Sequence, residues 1–134
     1  MDVIVIDTNV FISAGWNTHS HARKIFAAVA RRRFHLAVSA EILSEYENVS
    51  RRPQFSGKNY SGLLEWLRKH AVSVSPLPLG KQRSRDVDDD IFIACALGAG
   101  AKTIISDDED LLSLRKPFGV SIIHTAQFIA THRL

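Results

Sequence analysis

Val3-Ile4-Val5-Ile6-Asp7-Thr8-Asn9 is the stretch that decides the fold. Four consecutive β-branched apolar residues predict a short strand buried on both faces, the kind found inside a parallel sheet. The run stops at Asp7, and Thr8 and Asn9 are polar residues suited to leaving a strand. A strand covered on both faces needs helices around it, and the downstream pattern supplies them. Residues 21–33 (HARKIFAAVARRR) show helical spacing through Ile25, Phe26, Val29 and Ala30, and close on three arginines that complement a helix C-terminus. Phe34 to Val38 predicts a second strand. Ser39 is a good N-cap for a helix carrying Ile42, Leu43, Tyr46 and Val49, expected to stop near Arg52 because Pro53 disfavours helix in the residue before it. Leu63, Leu64, Trp66 and Leu67 mark another helix, Val72-Ser73-Val74 a short strand, and Pro76, Pro78 and Gly80 a loop. Residues 91–99 (IFIACALGA) predict a buried helix opened by Asp88, Asp89 and Asp90 and ended by Gly98 and Gly100. A strand at Thr103-Ile104-Ile105, a short helix from Asp108 to Leu114, a strand from Val120 to Ile123 and a closing helix over 125–132 complete the chain. Alternating strands and helices predict an α/β fold with a mainly parallel central sheet, as a single domain over residues 1–134.

Composition narrows the function. The 134 residues are 46% hydrophobic and 23% charged, the balance of a globular protein. No segment approaches the roughly 18 apolar residues of a membrane span, and Asp2 and Asp7 interrupt the apolar stretch near the start, so neither a membrane segment nor a signal peptide is expected and the expected compartment is the cytoplasm. The lone Cys95 excludes an intramolecular disulfide and a thiolate-rich zinc site. The net charge of +3 conceals a segregation: residues 86–110 hold eight acids and one base, Lys102, leaving sixteen bases against six acids elsewhere. A basic shell attracts a polyanion, whereas clustered carboxylates repel one unless a cation lies between. Both signs in one small domain suggest metal-assisted chemistry on a phosphate polymer.

In open α/β sheets, ligands bind beyond the carboxyl ends of the strands where strand order reverses. Asp7 ends the first strand and Asp108 follows the one carrying Ile104 and Ile105. Asp89 and Asp90 open the helix before that strand, and Glu45 lies on the helix after the second strand. Four distant segments can thus deliver oxygen ligands to one place, a donor set that suits Mg²⁺ or Mn²⁺ rather than zinc. Taken singly, Asp7 reads equally as a turn residue or N-cap and the triplet as helix-capping acids; the joint arrangement carries the argument. The six histidines show no metal-site spacing, and Gly98 and Gly100 lie at a helix end rather than in a phosphate-binding turn. An alternative is a phosphatase or phospho-acceptor domain with Asp7 as nucleophile, although the common dehalogenase-type pattern has a second aspartate where Asn9 stands.

Taken together, VIVIDTNVFISA, SAEILSEYENVSRRPQF, RDVDDDIFIACALGAGAKTIISDDEDLLSL and VSIIHTAQFI resemble the PIN-domain nucleases, most closely the small bacterial VapC-like toxin components of toxin–antitoxin pairs, over essentially the whole chain. The resemblance implies a three-layer α/β/α PIN-like fold and Mg²⁺- or Mn²⁺-dependent endonucleolytic cleavage of RNA, leaving a 3′ hydroxyl and a 5′ phosphate. It implies Asp7, Glu45, an aspartate of the triplet and Asp108 as the catalytic carboxylates, with Asp7, Asp108 and the triplet aspartate on the metal. Alignment of the following apolar helix favours Asp89, more distant members favour Asp90, and both are carried. Asn9 and Ser106 are implied as polar support and Asp110 as an extra acid; spacing from Ser39 prefers Glu45 to Glu41. Val87 and Asp107 stand where close relatives often have proline and glycine, which alters local loop geometry. The implied partners are an RNA substrate, a small antitoxin and a second copy of the chain; a noncatalytic RNA- or antitoxin-binding module is a further alternative. Lys81, Arg83 and Arg85, just before the acidic helix, are expected to contact RNA phosphates. Arg31 to Arg33 and Arg51 with Arg52 read equally as helix C-terminal cations or as an RNA path, Trp16 as packing or a base-stacking surface, and Phe11, Phe26, Phe92 and Trp66 as core or dimer contacts.

Overall fold

The computed structural model describes residues 1–81 and 89–134. Its strands β1 (Val3–Ile6), β2 (His35–Val38), β3 (Val72–Ser73), β4 (Thr103–Ile105) and β5 (Ser121–Ile123) form one sheet in the order β3-β2-β1-β4-β5, and every pairing is parallel. The chain builds outward from β1 to one side and then returns to its other side with β4, so strand order reverses between β1 and β4. The helices are α1 (Thr8–Trp16), α2 (His21–Ala30), α3 (Ala40–Ser50), α4 (Tyr60–His70), α5 (Asp90–Ala99), α6 (Glu109–Leu112) and α7 (Thr125–His132). α5 packs across β1, β2 and β4, while α1 packs on α2 and α3 and α2 packs on α7, giving a three-layer α/β/α PIN-like arrangement. Ile4, Val5 and Ile6 are buried, as a strand covered on both faces requires. No helix of the described residues is long and apolar enough to cross a membrane.

α1 has no counterpart among the elements expected from sequence. Its nine residues bury Thr8, Val10, Phe11, Ile12 and Ala14, so apolar side chains spread around the helix instead of forming one stripe, and no 3.6-residue period shows. α2 opens at His21 and stops at Ala30 with Arg31 as its C-cap, so Arg32 and Arg33 lie beyond the helix. Ser39 caps α3 as expected, its Oγ accepting from the Ile42 N–H at 3.2 Å. Gly98 lies inside α5, where a Cβ would stand 2.1 Å from the Ser75 carbonyl oxygen; its absence lets the chain after β3 cross the helix, and Leu77 N–H donates to the Ala94 carbonyl at 3.0 Å. Gly100, at φ 67°, is the residue that closes α5, in the left-handed conformation glycine adopts without strain.

Candidate active site

Register brings the first two site residues together. Ile6 pairs with Ile105 across β1 and β4, which sets Asp7 beside Ser106, and Asp7 N–H donates to the Ile105 carbonyl at 3.1 Å. Asp7 is buried and caps α1: its Oδ1 accepts from the Val10 N–H at 2.9 Å. Its Oδ2 accepts from the hydroxyl of Ser106, which is fully buried and in turn accepts the Asp108 N–H at 3.0 Å. Asp108 caps α6 through the Asp110 N–H at 3.1 Å. One serine therefore joins the aspartates that follow two adjacent strands.

α3 supplies the next wall. The Tyr46 hydroxyl donates to the carbonyl of Ile6, the residue before Asp7, and the Tyr46 ring stacks on Phe11 of α1 with centroids 4.3 Å apart. These buried contacts hold α3 over the end of β1, so the neighbouring Glu45, half-buried, faces the space beside Asp7. The same space is reached by Asp89, at the start of α5, whose side chain makes no capping hydrogen bond to that helix. Asp7, Glu45, Asp89 and Asp108 line one cavity of about 100 Å³, together with Thr8 and Asn9 of α1, Val49 of α3 and Arg52.

Burial pushes the Asp7 carboxyl up from 3.8 to about 6; the hydrogen bonds from Ser106 and Val10 oppose the rise, and the charges of Asp108 and Asp107 add to it. The Thr8 hydroxyl is buried without a hydrogen-bond partner among the described residues. Among those residues no group of three or more His, Cys, Asp or Glu side chains is assembled as a metal cage. The donor chemistry nonetheless fits a hard divalent cation. All its donors are oxygens, and a buried carboxyl beside other carboxylates is a group a cation stabilises. Mg²⁺ keeps several waters and binds through one or two carboxylates, so it does not require three side chains already in contact.

The remaining sequence-derived candidates lie elsewhere. Asp90 is buried in the first turn of α5 and does not line the cavity, nor does Asp110. Glu41 and Lys81 are exposed and away from it. Arg83 and Arg85 lie outside the described residues, as do Asp86, Val87 and Asp88. Asp107 fixes the start of α7, its carboxylate accepting the Thr125 N–H and the Thr125 hydroxyl, each at 2.9 Å. Thr8, Val49 and Arg52 are the cavity residues that sequence reasoning did not assign to the site. The signal for Arg52 is the spacing of Glu45, Val49 and Arg52 at i, i+4 and i+7, one helical face. Trp16 is 48% exposed at the end of α1, packed edge-on against Phe55, with the Lys58 ammonium 4.9 Å from its ring centre. A larger groove of about 850 Å³ between α1, α2 and α4 has no carboxylate in its lining.

A PIN domain family model matches residues 3–110, a span that contains every residue of the cavity. No curated protein matches the chain. Among solved structures, a chain from the crystal structure of VapBC2 from Rickettsia felis bound to a DNA fragment from their promoter is 13% identical, with a TM-score of 0.60 over 91% of this chain and 98% of that one. At that identity the likeness is one of fold.

Proposed function

The chain belongs to the PIN domain family, and on that premise we propose that it is a Mg²⁺- or Mn²⁺-dependent endoribonuclease, the toxin component of a toxin–antitoxin pair, acting as a single domain over residues 1–134. The observation that carries this reading is the convergence of Asp7, Glu45, Asp89 and Asp108 from four separate elements on one cavity at the point where strand order reverses. Asp7, Asp89 and Asp108 would hold the cation, with Asp90 and Asp110 as the acids next in line. When bound, the cation supplies Lewis-acid polarisation of the phosphate and lowers the pKa of water. Glu45, the remaining carboxylate of the cavity, orients the attacking water and accepts its proton. Ser106 holds the Asp7 carboxylate in place, and Asn9 offers a polar contact at the mouth. Lys81, Arg83 and Arg85 are proposed phosphate contacts before the acidic helix.

The partners we propose are RNA, a small antitoxin protein and a second copy of the chain, with the cytoplasm as the compartment. The antitoxin is supported by family membership and by the shared fold with a chain of a VapBC complex. The test is cleavage of a mixed RNA pool by the purified chain in Mn²⁺, Mg²⁺ and EDTA, with an Asp7→Asn preparation made in parallel. Metal-dependent cleavage absent from the variant is the expected result. Cleavage that survives in the variant, or in EDTA, rejects the reading.

A further inference from the structure

The acidic cavity continues into positive ground. Arg52 lines it and also lines an adjoining groove of about 330 Å³ between the end of α3 and α4. Besides Arg52, that groove carries Arg51, Lys58 and Arg68 against a single carboxylate, Glu47. The local sequence explains why adjacent arginines part company. α3 ends at Ser50, and Arg52, held extended at φ −62° and ψ 145° before Pro53, lines the same cavity as Glu45 and Val49. Arg51 instead pairs with Glu47 at 2.5 Å, and Arg68 of α4 approaches the other oxygen of the same carboxylate at 3.6 Å. Glu47 thus neutralises one of two guanidiniums while orienting both, and their side chains remain 71% and 51% exposed. Among the described residues Arg52 has no ion pair.

We propose that this groove binds the phosphodiester backbone of single-stranded RNA beside the bond that is cut, with Arg52 contacting the phosphate nearest the acidic cavity and Arg51, Lys58 and Arg68 the phosphates beyond it. The direction of the path rests on the nuclease reading of that cavity. Carboxylates repel the phosphates that flank a bound one, so a polyanion entering the cavity must leave it over cations, and Arg52 is the cation common to both spaces. Phe55 in the groove wall offers an apolar surface to an unstacked base. An acidic protein segment would match the charge but has no use for the continuity with the cavity.

The experiment measures binding without cutting. Fluorescence anisotropy of a labelled single-stranded RNA 12-mer is followed with the full chain in EDTA across a salt series. The variants are Arg52→Gln, the double variant Lys58→Gln with Arg68→Gln, and a control, Lys24→Gln with Lys102→Gln, which removes the same charge from exposed positions outside the groove. The wild type is expected to bind with an affinity that falls with salt. The double variant should bind about tenfold more weakly, with a log–log salt slope flatter by about 1.4, and Arg52→Gln should flatten it by about 0.7. The control should stay within about twofold of wild type. Equal losses in control and groove variants, unchanged binding in the groove variants, or no binding by the wild type would overturn the proposal. So would groove variants that alter only the sedimentation of the protein with itself, which would make the groove an interface between copies. Groove-dependent binding with no cleavage in Mn²⁺ leaves the groove standing and removes the nuclease reading; Asp7-dependent cleavage with groove-independent binding does the reverse.

Discussion

The hydroxyl of Ser106 donates to the carboxylate of Asp7, and this hydrogen bond ties together the ends of β1 and β4. Because the same oxygen accepts the Asp108 N–H at 3.0 Å, removing it strands a buried carboxylate oxygen and a backbone donor together. Ser106→Ala is expected to cost about 1–3 kcal/mol in urea denaturation. It should also move the titration of Asp7 further upward, since the lost bond favours the charged form. A variant as stable as the wild type would show that the bridge contributes nothing.

Asp7 sets a pH dependence in metal-free protein. Its carboxyl titrates near 6 in the folded chain against 3.8 for the ordinary group. Between those values the folded state binds more protons than the unfolded one, so stability falls as pH rises through the window. The deficit is absent below about pH 4, complete above about pH 6, and on the order of 3 kcal/mol. Asp7→Asn keeps an acceptor for the Val10 N–H and carries no charge. In EDTA it should therefore melt above the wild type at pH 7.5, with the difference closing toward pH 4. Parallel melting curves across that range would contradict the buried, raised carboxyl.

Mn²⁺ should raise the melting temperature of the wild type saturably, by the equivalent of about 2.7 kcal/mol at one hundred times its Kd. Asp7→Asn and Asp89→Asn should lose most of that rise. Asp90→Asn should keep it, because Asp90 is buried in the first turn of α5 and does not line the cavity. An equal response from wild type and Asp7→Asn would mean the ion binds elsewhere.

Tyr46→Phe retains the ring stacked on Phe11 but removes the donor to the Ile6 carbonyl. A buried carbonyl left without its partner predicts a loss of about 1–2 kcal/mol by chemical denaturation. Glu45 adjoins Tyr46 on α3, so RNA cleavage should fall by more than RNA binding does. Equal falls in both would indicate general loosening rather than a displaced carboxylate.

Much of the fold is legible in local pattern. The VIVI run, the Ser39 cap and the helix over 125–132 each lie within a window short enough for a strand or helix period to show, and parallel order follows from strands alternating with helices. The acids Asp7, Glu45, Asp89 and Asp108 are likewise visible as residues that end strands or begin and ride on helices. Tertiary structure decided the rest: that α1 exists although its apolar residues run around it, that Asp89 and not Asp90 lines the cavity, that Asp107 fixes α7, and that Arg52 stands at the mouth while Arg51 turns away to Glu47. The reason is that a period records which face of an element is apolar, whereas convergence depends on how elements cross. Here that crossing is set by contacts between distant residues, such as Tyr46 with Ile6 and Ser106 with Asp7, which leave no spacing in the chain to read.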